Sequence, residues 1–346
     1  MAYTNIDDPS AFFQTTLYTG NGTAIGSGGN VITNNANSGN FKPDWTWHKV
    51  RSTANDHQVY DSSRGVKIRL NPNATNSDFT LNEGLQSFDT NGFTVGSDGG
   101  VNSNNQTYVA WQWKANGGTT ASNSNGSITS TVQANTDAGF SIVTFTGTGA
   151  TTTVGHGLGV KPSLFIIKNR SATSNWFTYT DVIDGSLDFL YLNSTDAKID
   201  SGLSAPTTSV FTVNSSTAPN TNTIIAYCFA EKQGYSKFGS YIGNGNANGA
   251  FIYTGFKPAW VLIKRSDGAT NWRLFDSKRS GFNGDTSQLY PNLTNAEDSA
   301  GDQIDLLSNG FKNRTASGDQ NISGASYIYM AFAENPFTTS TGIPAT

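Results

Sequence analysis

The sequence predicts an all-β chain of three tandem β-sandwich, jelly-roll-like modules. Three observations carry that prediction. A Lys-Pro strand phrase occurs three times with matching neighbours on both sides. Stretches such as Ser141 to Thr146 and Trp260 to Lys264 are rich in β-branched and aromatic residues, and Gly, Asn, Asp and Ser clusters bound them, the pattern of strands and turns. No apolar stripe of helical period runs longer than three turns.

The repeat rests on three markers in constant order. Phe41–Lys49 (FKPDWTWHK) returns as Val160–Lys168 (VKPSLFIIK) and as Phe256–Lys264 (FKPAWVLIK). Upstream lie Tyr18–Gly22 (YTGNG), Phe145–Gly149 (FTGTG) and Tyr241–Gly245 (YIGNG). Downstream lie Tyr108–Trp113 (YVAWQW), Ile224–Phe229 (IIAYCF) and Tyr327–Phe332 (YIYMAF). Gly20 to Gly147 is 127 residues and Lys42 to Lys161 is 119, while Gly147 to Gly243 and Lys161 to Lys257 are both 96. The modules are therefore 1–115, 127–234 and 235–346. Residues 116–126 (NGGTTASNSNG) read as a polar, flexible linker. The second junction, at Gln233-Gly234-Tyr235, is too short to be free, so the second and third modules should pack together. Asn91-Gly92 before Phe93-Thr94-Val95, and Asn309-Gly310 in the third module, mark hairpins.

Composition narrows the function classes. Charged residues make up 13 % of the 346, against ~25 % in an average soluble protein. Gly and Asn number 37 each, and aromatics reach 12 %. That aromatic content excludes global disorder, and the surface must be polar but largely uncharged. No apolar run approaches the ~18 residues of a membrane helix, so no membrane insertion is expected. Met1 to Ser10 shows neither a basic nor an apolar signal region. The 21 basic residues are scattered singly and the net charge is −4, which is not the footprint of nucleic-acid binding. With Cys228 as the one cysteine, an internal disulfide and a Cys-based zinc site are excluded. No metal site and no cofactor are expected.

The repeated residues read mainly as framework. Pro43, Pro162 and Pro258 suit strand entry, where no N–H is needed. Trp45, Leu164 and Trp260, and then Trp47, Ile166 and Leu262, alternate with the strand period and belong in a core. Lys49, Lys168 and Lys264 close the same strands and read as solvated strand ends. Trp176 and Trp272 occupy matching positions, with His57 in the first module. Asp61 with Arg64, and Asp276 with Arg279, follow in Tyr60–Gly65 and Phe275–Gly281. These residues allow two readings. One is a sugar-stacking tryptophan with an Asp/Arg pair on hydroxyl groups. The other is a core strand and capped turn with a surface ion pair worth under ~1 kcal/mol.

Catalytic patterns are weak. His48, His57 and His156 lack a two-histidine metal spacing. His57, Asp61 and Ser62 are neighbours on one strand and turn and cannot converge as a triad. Asp181, Asp184 and Asp188 cluster, which leaves a carboxylate pair for glycoside hydrolysis open beside a plain polar loop. Cys228 should be a small buried hydrophobe. Phe12-Phe13 reads either as a socket-seeking anchor or as the first strand of module one. The ten Asn-x-Ser/Thr triplets, Asn21, Asn73 and Asn193 among them, are expected by chance in so Asn-rich a chain.

Five segments carry a resemblance. They are Ile6–Gln14 (IDDPSAFFQ), Phe88–Gly96 (FDTNGFTVG), Val154–Pro162 (VGHGLGVKP), Ile167–Ser171 (IKNRS) and Ala331–Phe337 (AFAENPF). Through them nearly the whole chain resembles virion proteins of tailed phages, especially marine ones infecting cyanobacteria and related hosts. The resemblance implies concanavalin-like jelly-roll modules in tail fibres, tail-associated proteins or capsid appendages. It supplies no catalytic residue. The expected role is a non-enzymatic structural protein of the virion, exposed for host attachment. Its expected partners are other tail or capsid proteins, itself as a homotrimer, and a host-surface glycan. Capsid decoration is the first alternative. A lectin-like module using Trp176 or Trp272, or a polysaccharide depolymerase, is the second.

Overall fold

The computed structural model describes residues 3–35, 41–279, 283–284, 286–299 and 301–344; Met1, Ser280 and Gly281 fall outside them. The first repeat contains β1 (Phe13–Thr19), β2 (Asn30–Thr33), β3 (Trp45–Val50), β4 (Gln58–Asp61), β5 (Ile68–Arg69), β6 (Phe79–Thr80), β7 (Leu85–Asp89), β8 (Gly92–Val95) and β9 (Thr107–Trp113). Then come β10 (Ala121–Asn123), β11 (Ser130–Asn135), β12 (Phe140–Thr146), β13 (Thr152–Gly155), β14 (Leu164–Asn169), β15 (Phe177–Thr180), β16 (Asp188–Tyr191), β17 (Ile199–Asp200), β18 (Val210–Val213) and β19 (Thr223–Phe229). The third repeat contains β20 (Ser236–Ile242), β21 (Phe251–Tyr253), β22 (Phe256–Arg265), β23 (Arg273–Asp276), β24 (Ile304–Leu307), β25 (Gly310–Asn313) and β26 (Ser326–Pro336).

One antiparallel strand order recurs three times: β1-β9-β3-β4, β12-β19-β14-β15 and β20-β26-β22-β23. Each of these inner sheets is backed by a smaller outer sheet, β2-β8-β7, β13-β18 or β21-β25-β24. The hairpins expected at Asn91-Gly92 and Asn309-Gly310 join β7 to β8 and β24 to β25. Gly92 has φ 121° and its missing side chain lies against the Ile32 carbonyl, so the turn requires glycine there. Pro43 and Pro162 stand two residues ahead of their strands, whereas Pro258 lies inside β22 at a bulge, a position that tolerates a missing N–H.

Strand alternation divides the core. In β14, Leu164 and Ile166 point to a central cluster, while Phe165 and Ile167 point to the outer sheet of their own repeat. β22 does the same with Trp260 and Leu262 against Val261 and Ile263. In β3, Trp45 and Trp47 enter the central cluster; His48 packs instead on Phe93 at 4.9 Å, inside its own sandwich. Both faces of these strands are therefore covered, and all six residues of β3 and of β14 are buried.

The central cluster draws on all three repeats. Its middle is formed by Trp113, Phe229 and Phe332, which hold equivalent places at the ends of β9, β19 and near the end of β26. Phe332 lies 5.5 Å from Trp113 and 6.0 Å from Phe229, and Phe13 stacks on it at 5.4 Å. Trp45 of the first repeat lies 4.6 Å from Tyr227 of the second, and Trp113 meets Trp260 of the third edge-on at 5.6 Å. Such pairs add to plain burial because ring edges meet ring faces.

Two expectations are corrected. Residues 116–126 are not a free linker: Ala121–Asn123 forms β10 on β11, and Gly118 donates to Gln133 Oε1 at 2.8 Å. Phe12 and Phe13 do not project as an anchor. Phe13 is buried as the first residue of β1, paired with Trp113, and Phe12 packs on Tyr235. The aromatic pair is consumed by the central cluster. Replacing Phe332 with Ala removes the ring that touches all three repeats, and denaturant unfolding should show a loss of about 3–5 kcal/mol; a loss below ~1 kcal/mol would mean that the repeats do not share this core.

Candidate functional site

The residues singled out by the repeat meet at three equivalent clamps, one at each boundary between repeats. Trp176 of the second repeat donates from Nε1 to the Asn71 carbonyl of the first at 2.8 Å. Trp272 of the third donates to Tyr191 O of the second at 2.9 Å. His57 of the first donates from Nε2 to Tyr290 O of the third at 3.0 Å. The three contacts run in cyclic order, so the repeats close into a ring.

The tautomer of His57 follows from its partners. Trp47 Nε1 donates to His57 Nδ1 at 2.9 Å, and Tyr290 O can only accept, so the ring is neutral with its proton on Nε2. Burial drives its pKa well below the usual value, and the charges of Lys49 and Arg279 add to that shift.

The lysines extend the clamp. Lys49, Lys168 and Lys264 are fully buried, contrary to the expected solvated strand ends. Lys168 Nζ donates to Thr75 O of the first repeat at 2.8 Å and to Ser174 O at 2.5 Å. Lys264 Nζ donates to Thr195 O of the second repeat at 3.2 Å, and Lys49 Nζ to Thr294 O of the third at 3.2 Å. Burial lowers all three pKa values to about 8. The same threonine carbonyls accept backbone N–H groups from Ser174, Thr270 and Asn55. Asp78 N to Arg170 O, Lys198 N to Ser266 O and Glu297 N to Arg51 O complete each boundary.

Three of the Asn-x-Thr triplets are part of this clamp. Asn73, Asn193 and Asn292 each accept through Oδ1 from the backbone N–H of His57, Trp176 and Trp272 in their own repeat. The threonine two places on supplies the carbonyl for the neighbouring repeat's lysine. Their spacings of 120 and 99 residues follow the 119 and 96 of the lysines, a signal that composition alone conceals.

The paired acids and bases are also internal. The side chains of Asp61 and Arg64 are fully buried and pair at 2.5 Å, and Tyr227 of the second repeat donates to Asp61 Oδ2 at 2.7 Å. Asp276 and Arg279 repeat this at 2.5 Å, with Trp111 of the first repeat donating to Asp276 Oδ2 at 2.9 Å. The exposed ion pair expected there is thus replaced by a buried one. At the third boundary Thr180, Ile183 and Met330 stand in the places of acid, base and ring donor. The charges and their partners are exchanged as a set, as burial of unpaired charge requires.

Trp176 and Trp272 are each 1 % exposed. A sugar-stacking role needs a ring face open to solvent, and neither indole has one. Asp181 pairs with Lys161, while Asp184 and Asp188 share Lys198. The lysine bond holds Asp184 down to about 2, whereas burial shifts Asp188 up. These acids are tied to cations rather than set across a groove. His48 is pushed down to about 3 by burial. His156 ties its loop to that of Thr207, accepting from Leu158 N and donating to Thr207 O. Cys228 is buried beside Ser141, and its thiol is shifted up. Among the described residues no group of three or more His, Cys, Asp or Glu side chains is placed to hold a metal ion. No helix among them is long and apolar enough to cross a membrane.

Two predictions follow from the clamps. Each buried lysine loses its proton near pH 8 in the folded chain and near 10.5 when unfolded. Between these values an unfolded lysine holds its proton and a folded one does not, so the lysines' own contribution to stability rises with pH from 8 to 10. Lys168→Met should reduce that rise, as denaturant titrations at pH 8, 9 and 10 would show. Thr180→Asp places an acid at the boundary that lacks its partners and should cost about 3–5 kcal/mol; adding Ile183→Arg and Met330→Trp should recover part of it.

No curated protein and no solved structure matches this chain. One family profile does, and it runs through all three repeats and all three clamps without a break, over residues 8–336. The chain belongs to that family, described as a domain of unknown function, DUF7483.

Proposed function

We propose that this chain is a non-enzymatic structural protein of a tailed-phage virion, exposed on the particle as a tail fibre or tail-associated protein for host attachment. The observation that carries the reading is the ring closed within one chain. It holds three similar outer sheets in a fixed relation, the arrangement a fibre ordinarily obtains from three separate chains. A rigid set of three surfaces favours simultaneous engagement of repeated partners on a particle or a cell.

The chemistry of the residues agrees with a framework role. His57, the repeated lysines and the two Asp–Arg pairs are spent on closing the ring. The sparsely charged surface would keep contacts weakly dependent on salt, which suits a particle working in seawater. The resemblance to marine phage virion proteins supports the same reading.

Immunogold labelling of intact virions tests it. Label at the tail or its fibres is the expected result. Label spread over the head would instead favour capsid decoration, and unlabelled particles would overturn a virion role.

A further inference from the structure

Among the described residues, the second repeat carries a strand that has no counterpart in the first. β11 lies on the free edge of β12, pairing Thr131 with Thr144, Gln133 with Ile142 and Asn135 with Phe140. It is uncharged, and it also reaches the first repeat. Gln133 Nε2 donates to Ser62 Oγ at 3.0 Å and Ser63 Oγ at 2.9 Å. Asn135 Nδ2 donates to the Lys114 and Ala115 carbonyls at 3.4 and 3.3 Å.

The equivalent place beside β1 is a groove of about 620 Å³. Its walls correspond residue for residue. β1 stands for β12, and β2 for β13. Ala259 and Lys278 of the third repeat stand for Asp44 and Ser63 of the first, and Ala333 to Asn335 for Lys114 to Asn116. Among the described residues β1 is the end strand of its sheet. Ser277, at the position of Ser62, has a buried Oγ without a hydrogen-bond partner; Ser62 Oγ bonds both Asp44 and Gln133. Leu17 and Val31 on the groove wall are 39 % and 65 % exposed. The residues ahead of β1 turn elsewhere, Tyr3 to Gly255 O and Thr4 to Gln233 O.

We propose that this groove is a strand-acceptor site, which takes an extended, uncharged segment of another polypeptide as an antiparallel strand against β1. β11 defines the chemistry of the occupant: backbone pairing supplies affinity, and amide or hydroxyl side chains reach the third repeat. The charges on the rim are already paired, Lys278 with Glu334 at 3.7 Å, which favours an uncharged segment. The register identifies the groups that would bond it. Lys114 N donates to Phe12 O, and Gly20 N to Gln106 O. Even-numbered residues of β1 therefore bond β9, and Phe13, Thr15 and Leu17 turn their backbone groups to the groove.

The test titrates the full chain with a synthetic peptide of residues 127–137, which contains β11. Residue-resolved amide exchange should show saturable protection at Phe13, Thr15 and Leu17, with Gln14 and Thr16 unchanged. Leu17→Pro removes one groove-facing N–H at an edge that tolerates proline, and should weaken binding at least about tenfold, 1.4 kcal/mol. Val31→Arg, at an exposed wall position, should also weaken it and serves if the proline variant fails to fold. Absent protection at millimolar peptide, or unchanged affinity in a folded variant, would overturn the proposal. A chain already dimeric through β1, with those three amides protected before peptide is added, would assign the groove to a second copy and overturn it as well.

Discussion

The burial of the three inner sheets against one another is the constraint on which the rest of this structure depends. The inner strands β3, β14 and β22 are buried on both faces, and one repeat can cover only one of these faces with its own outer sheet. The other face carries Trp45, Trp47, Leu164, Ile166, Trp260 and Leu262 into a cluster assembled from all three repeats. A repeat taken alone would expose that face to water. The fold is thus three sandwiches by topology and one unit by core, and the single family profile across residues 8–336 has the same extent.

Closing a ring around an apolar centre creates a second problem at its boundaries. Strand ends and turns from neighbouring repeats meet there, and buried carbonyls need donors. The clamps supply them: an indole or imidazole N–H, a lysine ammonium, and backbone bonds around a threonine carbonyl. The chemistry varies while the geometry persists. His57 replaces a tryptophan, and Met330 with Thr180 and Ile183 replaces an entire charged set. A neutral His57 and lysines with pKa values near 8 are the cost of placing such groups where water is excluded.

Much of the fold was legible in the sequence because its signals are local. The Lys-Pro phrase, the alternation of Trp45 and Trp47, the Asn-Gly hairpins and the buried Cys228 all follow from neighbours a few residues apart. The clamps were not legible, because each joins residues far apart in the chain. Lys168 ends a strand beside Asn169 and Arg170, so local reading places it in solvent; Thr75, 93 residues away, makes it a buried donor. Trp176 lies in a polar stretch, and its partner Asn71 is 105 residues away. β10 was hidden in a segment whose composition is that of a linker, since its pairing is decided by the edge of β11. Matching spacings of Asn73, Asn193 and Asn292, like those of the three lysines and of His57, Trp176 and Trp272, were a sequence trace of the clamp.

Native-state hydrogen exchange in low denaturant tests the shared core most directly. If the three inner sheets stand or fall together, the slowest amides of β9, β19 and β26 will exchange through one opening of common free energy and common denaturant dependence. Three distinct openings, with one repeat exchanging while the others stay protected, would contradict the account and return the chain to three independent sandwiches.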